Sequence, residues 1–289
     1  LYASICKGGC AMRLTENIIR GRVLVVTAVD AEREAVLRGL GHDDRFHVVA
    51  AGVGPAAAAA GTALALAAGG SAAGDATDGD AADTAEDRPG GVEWLLGSTA
   101  FSSLEAAGLA APASADNGAS RAHAGAGYAL VVSAGIAGGF AGRAPVGSLV
   151  VAGEIVAADL GAETADGFAS VDELGFGSAR VEVDARLAGP LAAGIAAAGL
   201  KVSTGPVLTV STATGSAATA AEHERRVPGA AAEAMEGFGV ATAAKQFGLP
   251  ALELRAISNV VGPRNRDAWR IGDALKALER ASQILKEVL

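Results

Sequence analysis

The sequence predicts an α/β fold, in which three layers place helices on both faces of a mixed central β-sheet. Two observations carry that expectation. Six or more short runs rich in Val, Ile and Leu read as buried strands, and between them lie segments whose apolar positions recur at helical spacing.

Pattern begins at Arg22 with VLVVTAV, a continuous apolar run of the buried-strand type. DAEREAVLRGL follows at helical spacing, with Asp30 as the expected N-cap. A second strand, FHVVAAG, leads through Gly-Val-Gly-Pro into an Ala-rich helix near 55–68. YALVVSAGIAGGF reads as a strand running into a glycine-rich turn, and SLVVAGEIVAADL as a long strand. KVSTGPVLTVSTATG supplies two further strand segments. A helix is expected over Phe238–Phe247, a buried strand over PALELRAISN, and an amphipathic helix from about Asp267 to Leu289. In sheets of this kind ligands sit beyond the carboxyl ends of the strands.

Two regions depart from the pattern. Residues 1–21 show no periodicity and read as an N-terminal extension or remnant; they hold the two cysteines, Cys6 and Cys10, which read as free thiols. Residues of about 70–126 read as an insertion in one nucleotide-sized domain spanning 22–289. GGSAAGDATDGDAADTAEDRPGG contains no Val, Ile, Leu or Phe, too little apolar surface to offset the entropy of ordering. VEWLLGSTAFSSLEAAGL, further along, is amphipathic enough for one or two helices.

Composition excludes several classes. The 289 residues carry 32 acids and 23 bases, a net charge of −9, and no basic run, so nucleic acid and anionic membrane are not expected partners. Six acids and one base lie between Ser71 and Gly91, so five of the nine net negative charges fall in the insertion. Val48–Gly70 is uncharged and long enough to span a bilayer. Its content is mostly Ala and Gly, however, and Pro55 breaks it, so strand, turn and buried helix are expected. No secretory signal is evident, which leaves the cytoplasm as the expected location.

Among motifs, Gly52 to Ala57 satisfies G-x-G-x-x-A between a strand and a helix. It follows the second strand rather than the first, and the acid expected about 20 residues on falls in low-complexity sequence. A close turn near a ligand is therefore preferred to a dinucleotide site. His42, His47, His123 and His223 are scattered without ligand spacing, so no metal is expected. No G-x-S-x-G nucleophile elbow occurs.

Polar residues at strand ends remain. Glu32 lies in the first helical turn after the first strand, where a carboxylate also suits the helix dipole. Glu236, in AEAMEGFG, precedes a helix and carries the same two readings. Arg255 interrupts the strand ALEL-AIS, where an unpaired guanidinium is costly, so it should meet a carboxylate. Asn259 ends that strand.

AVDAERE, AGVGPAAAAAGTAL, AGIAGGF, EAMEGFGVA and RAISN, in that order, resemble the purine nucleosidase/phosphorylase family over roughly 22–70 and 127–289. The resemblance is greatest to its hydrolytic branch, which includes 5′-methylthioadenosine/S-adenosylhomocysteine nucleosidase. It implies a nucleoside phosphorylase-like fold, no cofactor, a small-molecule nucleoside as partner and a homodimer or higher homo-oligomer. It also implies that Glu32 activates the attacking water, that Glu236 binds the ribose hydroxyls and that Met235 lies under the sugar. Arg255 would position Glu32 and the water; Ser258 and Asn259 would face the purine. Gly135, Ile136 and Ser211 are the remaining expected substrate contacts.

The residues fit that chemistry on their own terms. Cleaving a purine N-glycosidic bond needs a base for water and negative charge near an oxocarbenium-like sugar. The branch's methylthioadenosine enzymes carry an aspartic acid where Asn259 stands. An amide can accept from a protonated N7 and donate to O6, which suits a 6-oxopurine and disfavours adenine. DLGAETADGFASVDELGFG and RAISNVVGPRNRDAW narrow the resemblance to hydrolases of a hypoxanthine nucleoside bearing a 5′-side benzoate. Of Arg264, Arg266 and Arg270, one is then expected to meet that carboxylate. Ala134 to Gly138 contains no arginine or serine for phosphate, so water is the expected nucleophile, and Ala234 replaces a glutamate found in some nucleosidases. An adenine nucleoside hydrolase and a non-catalytic nucleoside-binding protein are the alternatives.

Overall fold

The computed structural model describes residues 19–71 and 127–289. The expectations for residues 1–18, including both cysteines, and for nearly all of the insertion lie outside them.

Ten strands and six α-helices follow in chain order. They begin β1 (Arg22–Thr27), α1 (Asp30–Leu40), β2 (Phe46–Ala50), α2 (Pro55–Ser71), β3 (Tyr128–Gly139) and β4 (Leu149–Ala157). The hairpin β5 (Gly161–Thr164) and β6 (Gly167–Ser170) stands apart from the main sheet, which regains β7 (Arg180–Glu182). The chain continues with α3 (Ala185–Ala197), β8 (Val202–Thr209), α4 (Ala217–Arg226), β9 (Ala232–Ala234), α5 (Gly237–Gln246), β10 (Ala251–Val260) and α6 (Ile271–Val288).

The sheet is mixed, as expected. β2, β1, β3 and β10 run parallel in that order, β4 joins β10 antiparallel, and β8 and β9 continue parallel from β4. β9 then returns antiparallel to the last two residues of β3, so the C-terminal end of β3 has neighbours on both sides. Helices α1, α3 and α6 pack as one group and α2 with α5 as another. The strands between them are apolar throughout: Leu24, Val25, Leu130, Val131, Val132, Leu252 and Leu254 are all fully buried. Each such Val or Leu contributes about 1.5–3 kcal/mol by leaving water. The Val48–Gly70 stretch divides into the end of β2, a turn and α2, and no described helix is long and apolar enough to cross a membrane.

Four expectations about elements are corrected. The glycine-rich segment Ala134–Gly139 is strand, not turn: these glycines serve close approach, since a Cβ on Gly139 would lie 2.1 Å from the Ala144 carbonyl oxygen. KVSTGPVLTV forms one strand, with Pro206 placed where the β4–β8 register shifts. The N-cap of α1 is Val29, and Asp30 is already helical; Glu32 takes over the capping by reaching back to the Val29 N–H. The last helix starts at Ile271, preceded by a 3₁₀ turn at Arg266–Ala268.

Candidate active site

A cavity of about 270 Å³ opens at the C-terminal ends of β1, β3 and β10. Glu32, Ile136, Met235, Glu236, Ser258, Asn259 and Arg264 all line it. Chain segments more than 200 residues apart thus converge on one space.

Glu32 is 4 % exposed and held by three backbone donors. Its Oε2 accepts from Ala28 (2.9 Å) and Val29 (3.3 Å), and its Oε1 accepts from Ile136 across the sheet (2.8 Å). The helix-capping role and the site role therefore coincide in one side chain: the cap is what immobilises the carboxylate. Gly135 explains how Glu32 fits, because a Cβ there would lie 2.7 Å from both Glu32 Oε1 and Arg255 Nη1.

Glu236 occupies the N-cap position of α5 but makes no cap with its side chain. It turns into the cavity instead, accepting from Gly54 N–H at 3.3 Å and facing Arg255 Nη1 at 3.3 Å. Gly52 and Gly54, in the turn before α2, have φ of 97° and 92°, which an L side chain rarely adopts, so the G-x-G spacing serves this turn and brings the Gly54 N–H to Glu236. Met235 is half-buried beside it.

Arg255 is 1 % exposed, and its carboxylate partners are Glu253 (Nε to Oε1, 2.8 Å) and Glu236; Nη2 also donates to Ser133 Oγ at 2.8 Å. Its ion pairs are thus with these two rather than with Glu32. Glu253 is fully buried, and its Oε2 has no hydrogen-bond partner. Burial pushes its carboxyl above the usual range, while Arg255 works in the opposite direction. Residues 253 and 255 alternate onto one face of the strand, so the partner that Arg255 needed stood two places before it.

At the other end of the cavity, Ser258 Oγ donates to Asn259 Oδ1 at 2.8 Å, and Asn259 Nδ2 donates to the Val260 carbonyl at 3.1 Å. These bonds orient the amide with its oxygen on the serine side. The loop after β10 folds over this end, tied by Arg270 N–H to the Ser258 carbonyl (2.8 Å), and the Arg264 guanidinium lies over the Trp269 ring at 5.3 Å. Arg266 and Arg270 are exposed and do not line the cavity. Ser211 also lies outside the lining: it is exposed, and its N–H donates to Asp159. Glu233, Thr214, Trp269 and Val53 line the cavity without having been marked by the sequence. No cluster of metal-ligating side chains occurs among the described residues.

Residues 26–289 match the family described as the phosphorylase superfamily. The chain belongs to this superfamily. Within it, the chain is 61% identical over 162 residues to futalosine hydrolase of Streptomyces coelicolor, a match covering 56% of this chain and 67% of that one. Futalosine hydrolase of Acidothermus cellulolyticus is 47% identical over 154 residues, covering 53% and 63%. The matched stretches therefore span about two thirds of the length of these curated relatives. The superfamily fold is shared with the native structure of futalosine hydrolase of Helicobacter pylori, at a TM-score of 0.62, 15% identity and coverage of 93% of this chain and 98% of that one.

Proposed function

We propose that this superfamily member hydrolyses the N-glycosidic bond of futalosine, releasing hypoxanthine and dehypoxanthine futalosine in menaquinone biosynthesis. The observation that carries the reading is the meeting of Glu32, Glu236 and Asn259 around one cavity, in a chain 61% identical over its matched stretch to a futalosine hydrolase.

Each side chain then has a task. Glu32, fixed by three N–H donors, takes a proton from the attacking water. Glu236 accepts from the ribose hydroxyls and places negative charge near the developing oxocarbenium ion; Arg255 beneath holds it in place. Met235 packs under the sugar. Asn259 Oδ1 accepts from the protonated N7 of the departing base while Nδ2 donates to O6, so hypoxanthine leaves without full negative charge. Arg264, stacked on Trp269, meets the benzoate. Water is the nucleophile because the backbone at Ala134–Gly138 lies against Glu32 with no cationic side chain to receive phosphate.

The test is incubation with futalosine, inosine and methylthioadenosine, with and without phosphate, and chromatography of the released base. Release of hypoxanthine from futalosine without phosphate is the expected result. Phosphate-dependent release overturns hydrolysis, preference for methylthioadenosine favours an adenine nucleoside hydrolase, and no release favours a binding protein.

A further inference from the structure

Glu233 is a carboxylate at the base end of the cavity for which the reaction above has no use. It sits on β9, 7 % exposed, and lines the cavity. Its Oε1 accepts from the Thr214 N–H at 2.8 Å; its Oε2 accepts from the Thr214 hydroxyl and lies 3.2 Å from His223 Nδ1. Both oxygens act as acceptors, and a carboxylate offers about four acceptor positions, so Glu233 can take a further donor.

The sheet register says where that donor would be. Gly138 of β3 is the partner of Glu233 on one side and of Asn259 on the other. Cross-strand partners project to the same face, so the two side chains stand roughly 10 Å apart at Cα, two strand spacings, over a residue without a side chain. A Cβ on Gly138 would lie 3.2 Å from Asn259 Nδ2 and 2.9 Å from a Val261 methyl. The glycine thus keeps open the floor between an amide and a carboxylate.

We propose that Glu233 accepts a hydrogen bond from N1–H of a 6-oxopurine, making it a second specificity-determining residue beside Asn259. This rests on the nucleosidase reading and deepens it. With N7 and O6 at Asn259, the next ring position along the edge is N1, and it faces β9. A 6-oxopurine carries a proton on N1, whereas adenine presents a lone pair there, which a carboxylate acceptor repels. Asn259 and Glu233 together therefore read O6 and the adjacent N1–H as one acceptor–donor pair. Thr214 and His223 hold the carboxylate in that orientation.

Calorimetric binding of the free base tests this separately from turnover. Wild-type protein should bind hypoxanthine about 10- to 100-fold more tightly than its 1-deaza isostere, in which C–H replaces N1–H. Equal affinities, or no binding of either base, would overturn the proposal. Glu233→Gln, whose amide can also donate, should lower the hypoxanthine-to-adenine affinity ratio at least about tenfold. Thr214→Val should weaken both bases together and keep the ratio. If Thr214→Val lowers the ratio as Glu233→Gln does, Glu233 acts only through the loop and the proposal is wrong. Absence of futalosine hydrolysis with hypoxanthine discrimination intact would reject the nucleosidase reading alone.

Discussion

Nη1 of Arg255 lies 3.3 Å from Oε2 of Glu236, joining the middle of β10 to the start of α5 beneath the cavity. Behind that contact, Glu253 fills the space a side chain at residue 237 would need: a Cβ on Gly237 would lie 2.3 Å from both Glu253 oxygens. Three charged groups and one glycine therefore form a single buried unit. Arg255→Met leaves two buried carboxylates without their cation and should cost about 3–5 kcal/mol in urea unfolding. A cost below about 1 kcal/mol would mean that the guanidinium is not carrying this unit.

The same unit gives stability a pH dependence of definite sign. Burial raises the Glu253 carboxyl above its ordinary value of 4.5. As pH rises past 4.5, the unfolded chain releases this proton while the native state keeps it, so stability is full below that point and is lost as pH climbs through the native value. Subtracting the profile of Glu253→Gln removes the other groups. The difference should slope downward above about pH 4.5; an upward slope would show Arg255 prevailing over burial.

Glu32→Gln should lower kcat on futalosine by roughly 10² to 10⁴, the range for a positioned acid or base. Gln keeps an acceptor for the Ile136 N–H, so the thermal midpoint should move little. Activity near wild type would remove Glu32 from the reaction.

Gly135→Ala separates geometry from stability. Its Cβ, 2.7 Å from Glu32 Oε1 and Arg255 Nη1, forces both groups aside. Misplacement on the order of 1 Å costs about 10² in rate, so kcat/KM should fall that far while the native circular-dichroism spectrum is retained. Full activity would mean that Glu32 need not stay where its backbone donors hold it.

Asn259→Asp should move the preference between the hypoxanthine nucleoside and its 6-amino analogue toward the latter, read as the ratio of kcat/KM values. An unchanged ratio would assign the reading of position 6 to another residue.

Much of the fold was legible because apolar strands and helical periodicity are local signals. β1, α1, β2, α2, β4, α5 and β10 lie close to where the patterns put them. The short strands β7 and β9 were not legible, at three residues each, because they exist only by pairing with distant segments. α3 and α4 also went unread, as did the β5–β6 hairpin in DLGAETADGFAS. Glycine misled at Ala134–Gly139, where its local meaning is a turn and its actual use is room for neighbouring backbone and side chains.

The site divides along the same line. The sequence alone determined the chemical inventory: two glutamates, a buried arginine and an amide at strand ends, with an α/β order that brings such ends together. Tertiary structure decided which charge meets which. Arg255 pairs with Glu253 and Glu236, Ser211 stands outside the cavity, and Glu233 stands opposite Asn259 across Gly138. The physical reason is that pairing in a buried site depends on cross-strand register and on the space left by glycines, and neither is encoded within reach of a single residue's neighbours in the chain.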